Sequence, residues 1–460
     1  MYVLDAKSKT PLHIQLYKAI KEDIIVNYKV GDKLPSIRKV ATLYNLSKNT
    51  VESAYTQLCA EGYVESRAKS GYYVSELFFD SFHKEDVTYH PTNTSPKTYR
   101  YDFFPAQLHK EDFPLKTWKR LYNKVMTDEV DFGAYPDGQG ELVLREKIAD
   151  YLRNSRGVVC SAEHIIITNG FIGAMELIAK LLKDRYSDFA QEMPGYHIAR
   201  KIFDAYGYTI DPVGVDAQGL KIEEIKKTQA QIVYITPSHQ YPTGVAMPIA
   251  NRQKLIAHMQ RIGGIIIEDD YDSELAYYTR PIPSLQGLDD GGCVLYLGTF
   301  AKALSPAVRV GYMVVPEWIH KFYKESYDSH FAGVGISMQL TLAAFMKEGH
   351  WERHLRRMRT LNKKKHNAMK EAIATHLGNS CKLIAEGGGL SLMIVPTKEG
   401  FDWQKLQTLA EQEGIAIYLA KERSGTVFEA LRMGFGGFRL EEIDDAVRAF
   451  AKVWFMAYLG

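Results

Sequence analysis

Residues 296–316 read YLGTFAKALSPAVRVGYMVVP. An apolar run, Val294 to Leu297, gives way to a turn of small residues that holds Lys302, and a second β-rich run begins at Arg309. Strands this apolar belong inside a sheet. Two of them this close together point to an antiparallel pair. A lysine in a tight, partly desolvated turn has a lowered pKa and suits Schiff-base chemistry. Thr299 stands three residues before it and Arg309 seven after. A hydroxyl and a guanidinium flanking one amine suit a phosphate held beside it. The same spacing, taken alone, also fits a solvated surface lysine.

Further apolar runs lie around this one: HIIIT (164–168), QIVYIT (231–236) and GGIIIED (263–269). They alternate with amphipathic helices, which predicts an α/β domain from about residue 101 with a buried, mainly parallel sheet. From about 330 to 460 the chain is helix-rich with short strands (LSLMIVP, GIAIYLA, ALRMGF), which predicts a smaller α+β lobe. Three turns carry polar chemistry. Thr168-Asn169-Gly170-Phe171-Ile172 joins a strand to a helix expected over Gly173 to Leu182, and such a helix start offers free N–H groups to an anion. It also fits an ordinary βα turn. Asp269-Asp270-Tyr271 ends a buried strand, where parallel sheets bind ligands. A magnesium site or a solvated acidic loop fits that run as well. Met193-Pro194-Gly195-Tyr196 presents an aromatic face for stacking, or a core tyrosine near a turn.

Residues 1–78 follow a different pattern: three helices, then two short strands. Thr10 before Pro11 predicts a helix start, with Leu16, Ile20 and Ile24 on one face. Ser36 predicts a cap for a second helix with Val40, Leu43 and Tyr44 inward, and Ser47 a cap for a third with Val51, Ala54, Tyr55 and Leu58 inward. Two short helices around a tight turn make a helix-turn-helix. Tyr63-Val64-Glu65 and Gly71-Tyr72-Tyr73-Val74 flank a turn with Arg67 and Lys69, as in the wing of a winged helix. Eleven Lys and Arg against eight Asp and Glu give residues 1–78 a net +3, so any DNA specificity rests on placement. A three-helix protein-interaction module shows the same periodicity. Residues 79–100 lose it and read as a linker, leaving 101–460 as the second domain.

Composition narrows the class. The whole chain has a net charge of only +2, so it is not a bulk polycation. No run approaches a membrane span, and the start shows no secretory pattern. The four cysteines are far apart, which excludes a CxxC metal motif and predicts no disulfide framework and no metal. A reducing cytoplasm is the expected location.

Both halves resemble known families. The segment from PLHIQLYKAI to SGYYV is similar to the DNA-binding domain of GntR-type regulators. That resemblance implies contacts to double-stranded DNA from Ser36, Arg38, Ser47, Lys48, Asn49, Thr50, Arg67 and Gly71. The segments YPDGQGELVLREKIADYLRNSRGV, TPSHQYPTGVAM, IIEDDYDSELAY and YLGTFAKALSPAVRVGYMVVP resemble the fold-type-I aminotransferase domain of MocR/GabR-type regulators. This implies pyridoxal 5′-phosphate as cofactor, bound to Lys302 as a Schiff base. Asp269 would pair with the ring nitrogen, Tyr271 with the ring hydroxyl, and Tyr196 would stack on the ring. Gly170, Phe171 and Ile172 would give backbone N–H groups to the phosphate, joined by Thr299 and Arg309. Tyr135 would reach the phosphate of the other subunit of a homodimer. Arg432 would hold the carboxylate of an effector.

The resemblance therefore implies a transcription regulator that senses an amino compound, or pyridoxal phosphate itself. The alternative is an active aminotransferase with an appended DNA-binding domain. Several positions depart from familiar patterns, Phe171-Ile172 standing where relatives often have a small residue and Gln. Tyr241 stands where aminotransferases carry an Asn before Pro-Thr-Gly. Ile198 replaces an Arg of the GABA-sensing member. Ala68-Lys69 replaces a Pro-Gly at the wing tip.

Overall fold

The computed structural model describes residues 2–5, 7–76, 98–277, 282–327, 333–384, 387–422 and 428–459. The chain forms two compact units, the second beginning at Thr98. The linker expected at 79–100 lies, up to residue 97, outside the described residues.

The first unit contains helices Leu12–Asn27, Ile37–Leu43 and Lys48–Ala60, then the hairpin β1 (Val64–Arg67) and β2 (Gly71–Val74). Leu16, Ile20, Ile24, Val51, Ala54, Tyr55 and Leu58 are buried together, so the helical periodicity is that of a core. Two expectations fail here. Pro11, not Thr10, occupies the cap of the first helix, and no side chain caps it. The Thr10 carbonyl instead accepts from Gln15 Nε2 at 2.6 Å. Leu43 is 57% exposed: it is the last residue of the second helix, whose buried face is carried by Val40 and Ala41.

The second unit carries an eight-stranded sheet in the order β4-β11-β10-β9-β8-β5-β6-β7. The strands are β4 (Ile165–Thr168), β5 (Asp188–Met193), β6 (Thr209–Asp216), β7 (Gly219–Leu220), β8 (Ile232–Ile235), β9 (Ile265–Asp269), β10 (Val294–Thr299) and β11 (Gly311–Val314), after a short β3 (Tyr101–Asp102). The pairings β6–β5, β5–β8, β8–β9 and β9–β10 are parallel, whereas β11 runs antiparallel to both β10 and β4. β4, β8 and β9 are buried throughout, as their apolar residues lead one to expect, and the burial extends to Thr168, Glu268 and Asp269 at the ends of β4 and β9.

The small lobe has a four-stranded antiparallel sheet, β12 (Cys381–Ile384), β13 (Ser391–Pro396), β16 (Phe428–Gly434) and β15 (Tyr418–Glu422), in that order. β14 (Ile415–Ala416) pairs with β3, which ties the start of the unit to this lobe. The helix Ile336–Lys347 packs with Trp118, Leu144 and Ile148 in the large lobe, although it follows residue 330. The 27-residue helix His350–His376 runs from that core, at Trp351, to the small-lobe core, at Met369 and Ile373.

Candidate functional site

Because β4, β5, β8, β9 and β10 all point the same way, their C-terminal ends share one edge of the sheet, and the candidate residues collect there. Asp269 ends β9 and Thr299 ends β10. Gly170 follows β4, and Tyr196 follows β5. Arg309 lies just before β11, whose reversed direction places its start at the same edge.

Lys302 lies half-buried in the turn after β10 and lines a pocket with His239, Tyr241, Tyr271, Asp272, Gly389 and Arg432. Burial and the nearby Arg432 guanidinium lower its pKa to about 8, against the pull of Asp272 and Asp269. Asp269 is buried and accepts from the Tyr234 hydroxyl at 2.6 Å. Burial raises its carboxyl to about 7 despite that bond and the Lys302 charge. Arg432 donates from Nη1 to the Tyr241 hydroxyl at 2.9 Å, with its guanidinium 4.7 Å from the centre of that ring. Tyr196 packs edge-on against Phe171 and Tyr241, with ring centres 5.2 and 5.3 Å apart. The Tyr271 hydroxyl donates to the His239 carbonyl at 3.1 Å.

The helix after β4 runs Phe171–Leu182, two residues earlier than expected, with Gly170 as its cap and no side chain on the free N–H groups. Gly170 has φ +89°, and a Cβ there would lie 3.2 Å from Arg309 Nη2, so the guanidinium passes close over the glycine. Arg309 donates to the Asn169 carbonyl at 3.2 Å, and Thr299 Oγ1 accepts from the Ala301 N–H at 3.1 Å. The Ile172 side chain is exposed. Tyr135 is 78% exposed and is not part of the Lys302 pocket wall in the single chain.

In the first unit, Ser36 Oγ and Ser47 Oγ accept from the N–H groups of Lys39 and Thr50, at 3.3 and 3.1 Å. Arg38, Lys48 and Asn49 are exposed around these helix starts. Arg67 stacks 4.4 Å over the Tyr73 ring and pairs with Glu65. Lys69 takes the left-handed position of the wing turn at φ +60°, and Gly71 follows at φ +122°.

Comparison with known proteins joins the two halves. The gntR family of bacterial regulatory proteins matches residues 12–74, and the aminotransferase class I and II family matches 105–450. The uncharacterised HTH-type transcriptional regulator YhdI of Bacillus subtilis (strain 168) is 34% identical over 98% of this chain and 97% of its own. The chain belongs to the HTH-type transcriptional regulators with an aminotransferase class I and II domain. The regulator is also 33% identical to the probable rhizopine catabolism regulatory protein MocR of Rhizobium meliloti, over 85% of this chain and 83% of that one. The second unit is similar to LysN, an alpha-aminoadipate aminotransferase of Thermus thermophilus complexed with N-(5′-phosphopyridoxyl)-L-leucine. TM-score is 0.68 and identity 25%, covering 78% of this chain and 92% of that one.

Membership of the aminotransferase family makes pyridoxal phosphate the cofactor of the regulator's second unit. The residues present fit it. A depressed amine suits an aldehyde, a buried carboxyl a ring nitrogen, and an open helix end beside a guanidinium a phosphate.

Sequence reasoning misses several members of this edge. In the run Asp269-Asp270-Tyr271-Asp272, each carboxylate has its own partner. Asp270 binds the buried Arg156 at 2.6 Å, and Asp272 Oδ2 lies 2.8 Å from His239 Nδ1. Arg156 is 114 residues from its partner, and no local pattern announces the pair. Away from this edge, His164, Glu317 and His320 place one potential metal-ligand atom each within 4.8 Å of one another. Two of them form a His–carboxylate pair at 2.6 Å.

Proposed function

We propose that the regulator senses an amino compound, or pyridoxal phosphate itself, at Lys302, and that occupancy of this pocket changes how its winged helices hold promoter DNA. The observation that carries the reading is the presence of Lys302 and Arg432 in one pocket wall. Pyridoxal phosphate supplies an aldehyde that exchanges amines reversibly. Lys302 offers the amine for it. Asp269 holds a proton at the ring nitrogen, Tyr271 faces the ring oxygen, and Tyr196 covers the ring. The N–H groups of Gly170, Phe171 and Ile172, with Thr299 and Arg309, hold the phosphate. Arg432 turns from Tyr241 to an effector carboxylate and draws the small lobe with it.

Tyr135 reaches a second copy of the chain, which makes the working unit a homodimer with two DNA heads. Ser36, Arg38, Ser47, Lys48, Asn49, Thr50, Arg67 and Gly71 meet the duplex, with residues 79–100 as the tether. The site of action is the cytoplasm, beside DNA. Among the described residues no helix is long and apolar enough to cross a membrane.

The presence of Lys302, Asp269 and Arg432 together also supports a second reading, an active aminotransferase. One experiment separates the two. The loaded protein is mixed with a panel of amino acids while promoter binding and keto-acid formation are both followed. The sensor reading expects altered promoter binding with little keto acid. Multiple turnovers at ordinary enzyme rates with unchanged DNA binding would contradict it.

A further inference from the structure

A buried acid–imidazole pair stands in the wall of the Lys302 pocket, and the roles assigned above leave it unused. His239 follows β8, and Asp272 follows β9. Asp272 Oδ2 lies 2.8 Å from His239 Nδ1, and the side chains of His239 and Asp272 are only 18% and 6% exposed. His239 Nε2 is buried and has no hydrogen-bond partner among the described residues. Most buried side-chain nitrogens in a protein interior are hydrogen-bonded, because leaving one unpaired is costly. An orphaned nitrogen in the wall of a ligand pocket is instead what a site shows before its ligand arrives.

The surroundings hold the pair in place. Gly389 has φ +76°, and a Cβ there would lie 2.8 Å from Asp272 Oδ2 and 3.3 Å from His239 Cε1, so backbone closes tightly over both groups. The Tyr271 hydroxyl bonds the His239 carbonyl, which fixes the histidine backbone to the end of β9. The charged groups that bear on the ring are Asp272 and Arg432. Burial and Arg432 disfavour the imidazolium, and Asp272 more than offsets them, so the ring titrates above its usual value.

We propose that His239, oriented by Asp272, is a hydrogen-bond donor for an oxyanion of the molecule bound over Lys302. This rests on the pyridoxal-phosphate reading of the pocket. Two sources offer that oxyanion: the ring oxygen of the cofactor and a carboxylate of the effector. Asp272 acts through His239 as a positioning residue and makes no contact of its own with the ligand.

The test compares the full-length wild type with H239F and H239Q in two arms. The first measures affinity for pyridoxal phosphate and for its 3-deoxy analogue, which lacks the ring oxygen. The second measures how acetate, a bare carboxylate, shifts the visible band of the loaded protein. A charge-assisted bond predicts a loss of roughly tenfold or more for H239F in one arm. Weakened binding of pyridoxal phosphate but not of the 3-deoxy analogue assigns the donor to the ring oxygen. Weakened response to acetate assigns it to the carboxylate. H239Q keeps a side-chain N–H without the charge and should fall between wild type and H239F. If H239F melts early, H239Q carries the comparison. Losses under about twofold in both arms, or equal losses for the cofactor and its analogue with no change toward acetate, overturn the proposal. A wild type that fails to take up pyridoxal phosphate at all overturns the pocket reading and this inference together. A wild type that loads normally beside unchanged variants overturns this inference alone.

Discussion

Asp269 shows how burial turns one carboxyl into a site. Its folded-state pKa is raised from 3.8 to about 7, chiefly by desolvation. A raised acid contributes stability that is complete below its unfolded value and is lost as the pH climbs through the folded one. The cofactor-free protein should therefore lose melting temperature between about pH 4 and about pH 7, with the buried Glu192, Glu268 and Glu274 adding in the same direction. D269N should flatten part of that slope, and so should pyridoxal phosphate, because a ring N–H beside Asp269 favours the ionised acid. Identical slopes for wild type and D269N in thermal melts would refute this.

Arg432 gives a second residue-scale expectation. R432A should weaken carboxylate-bearing effectors by about tenfold or more and simple amines much less, read as displacement of the visible band. At this scale the sequence is legible where a feature is local, as in the turn after β10 that holds Lys302. It is not legible for Arg156–Asp270 or His239–Asp272, because each pair forms only when separate segments meet at one edge.

Among the elements, the helix Phe171–Leu182 carries the sharpest test. Gly170 holds a φ that side chains rarely adopt, and Arg309 crosses close over it. G170A should cost the helix start on the order of 1–3 kcal/mol and weaken retention of pyridoxal phosphate, measured by dialysis. Unchanged retention would remove this turn from the phosphate site.

The recognition helix Lys48–Ala60 is the corresponding element on the DNA side. K48A should lower affinity for all sequences alike and reduce the slope of log affinity against log salt by about 0.9. Strand runs and helix faces are readable because their periods are set by backbone geometry, and Leu58 and Ile267 lie in the core as their spacing requires. Helix ends are less readable. The starts at Leu12 rather than Pro11, and at Phe171 rather than Gly173, have no capping side chain to mark them.

At the scale of the molecule, two units with separate cores stand on one chain. A sensor needs coupling between them, and a coupling of about 1–3 kcal/mol changes operator affinity roughly 5- to 150-fold. The effector must favour one arrangement over the other, or nothing switches. Residues 1–78 alone should keep weak DNA affinity that no amino compound alters, read by fluorescence anisotropy on promoter DNA. The order of the modules is legible because two unrelated patterns follow one another. The division of the second unit is less so, since the helix Ile336–Lys347 belongs to one lobe and β3 to the other regardless of chain order.

Everything at this scale depends on a covalent bond at one amine. The direct measurement is borohydride reduction of the protein after incubation with pyridoxal phosphate, followed by peptide mass mapping. The predicted result is a single pyridoxyl adduct on Lys302, absent from K302A. Adducts scattered over surface lysines with Lys302 untouched would contradict it.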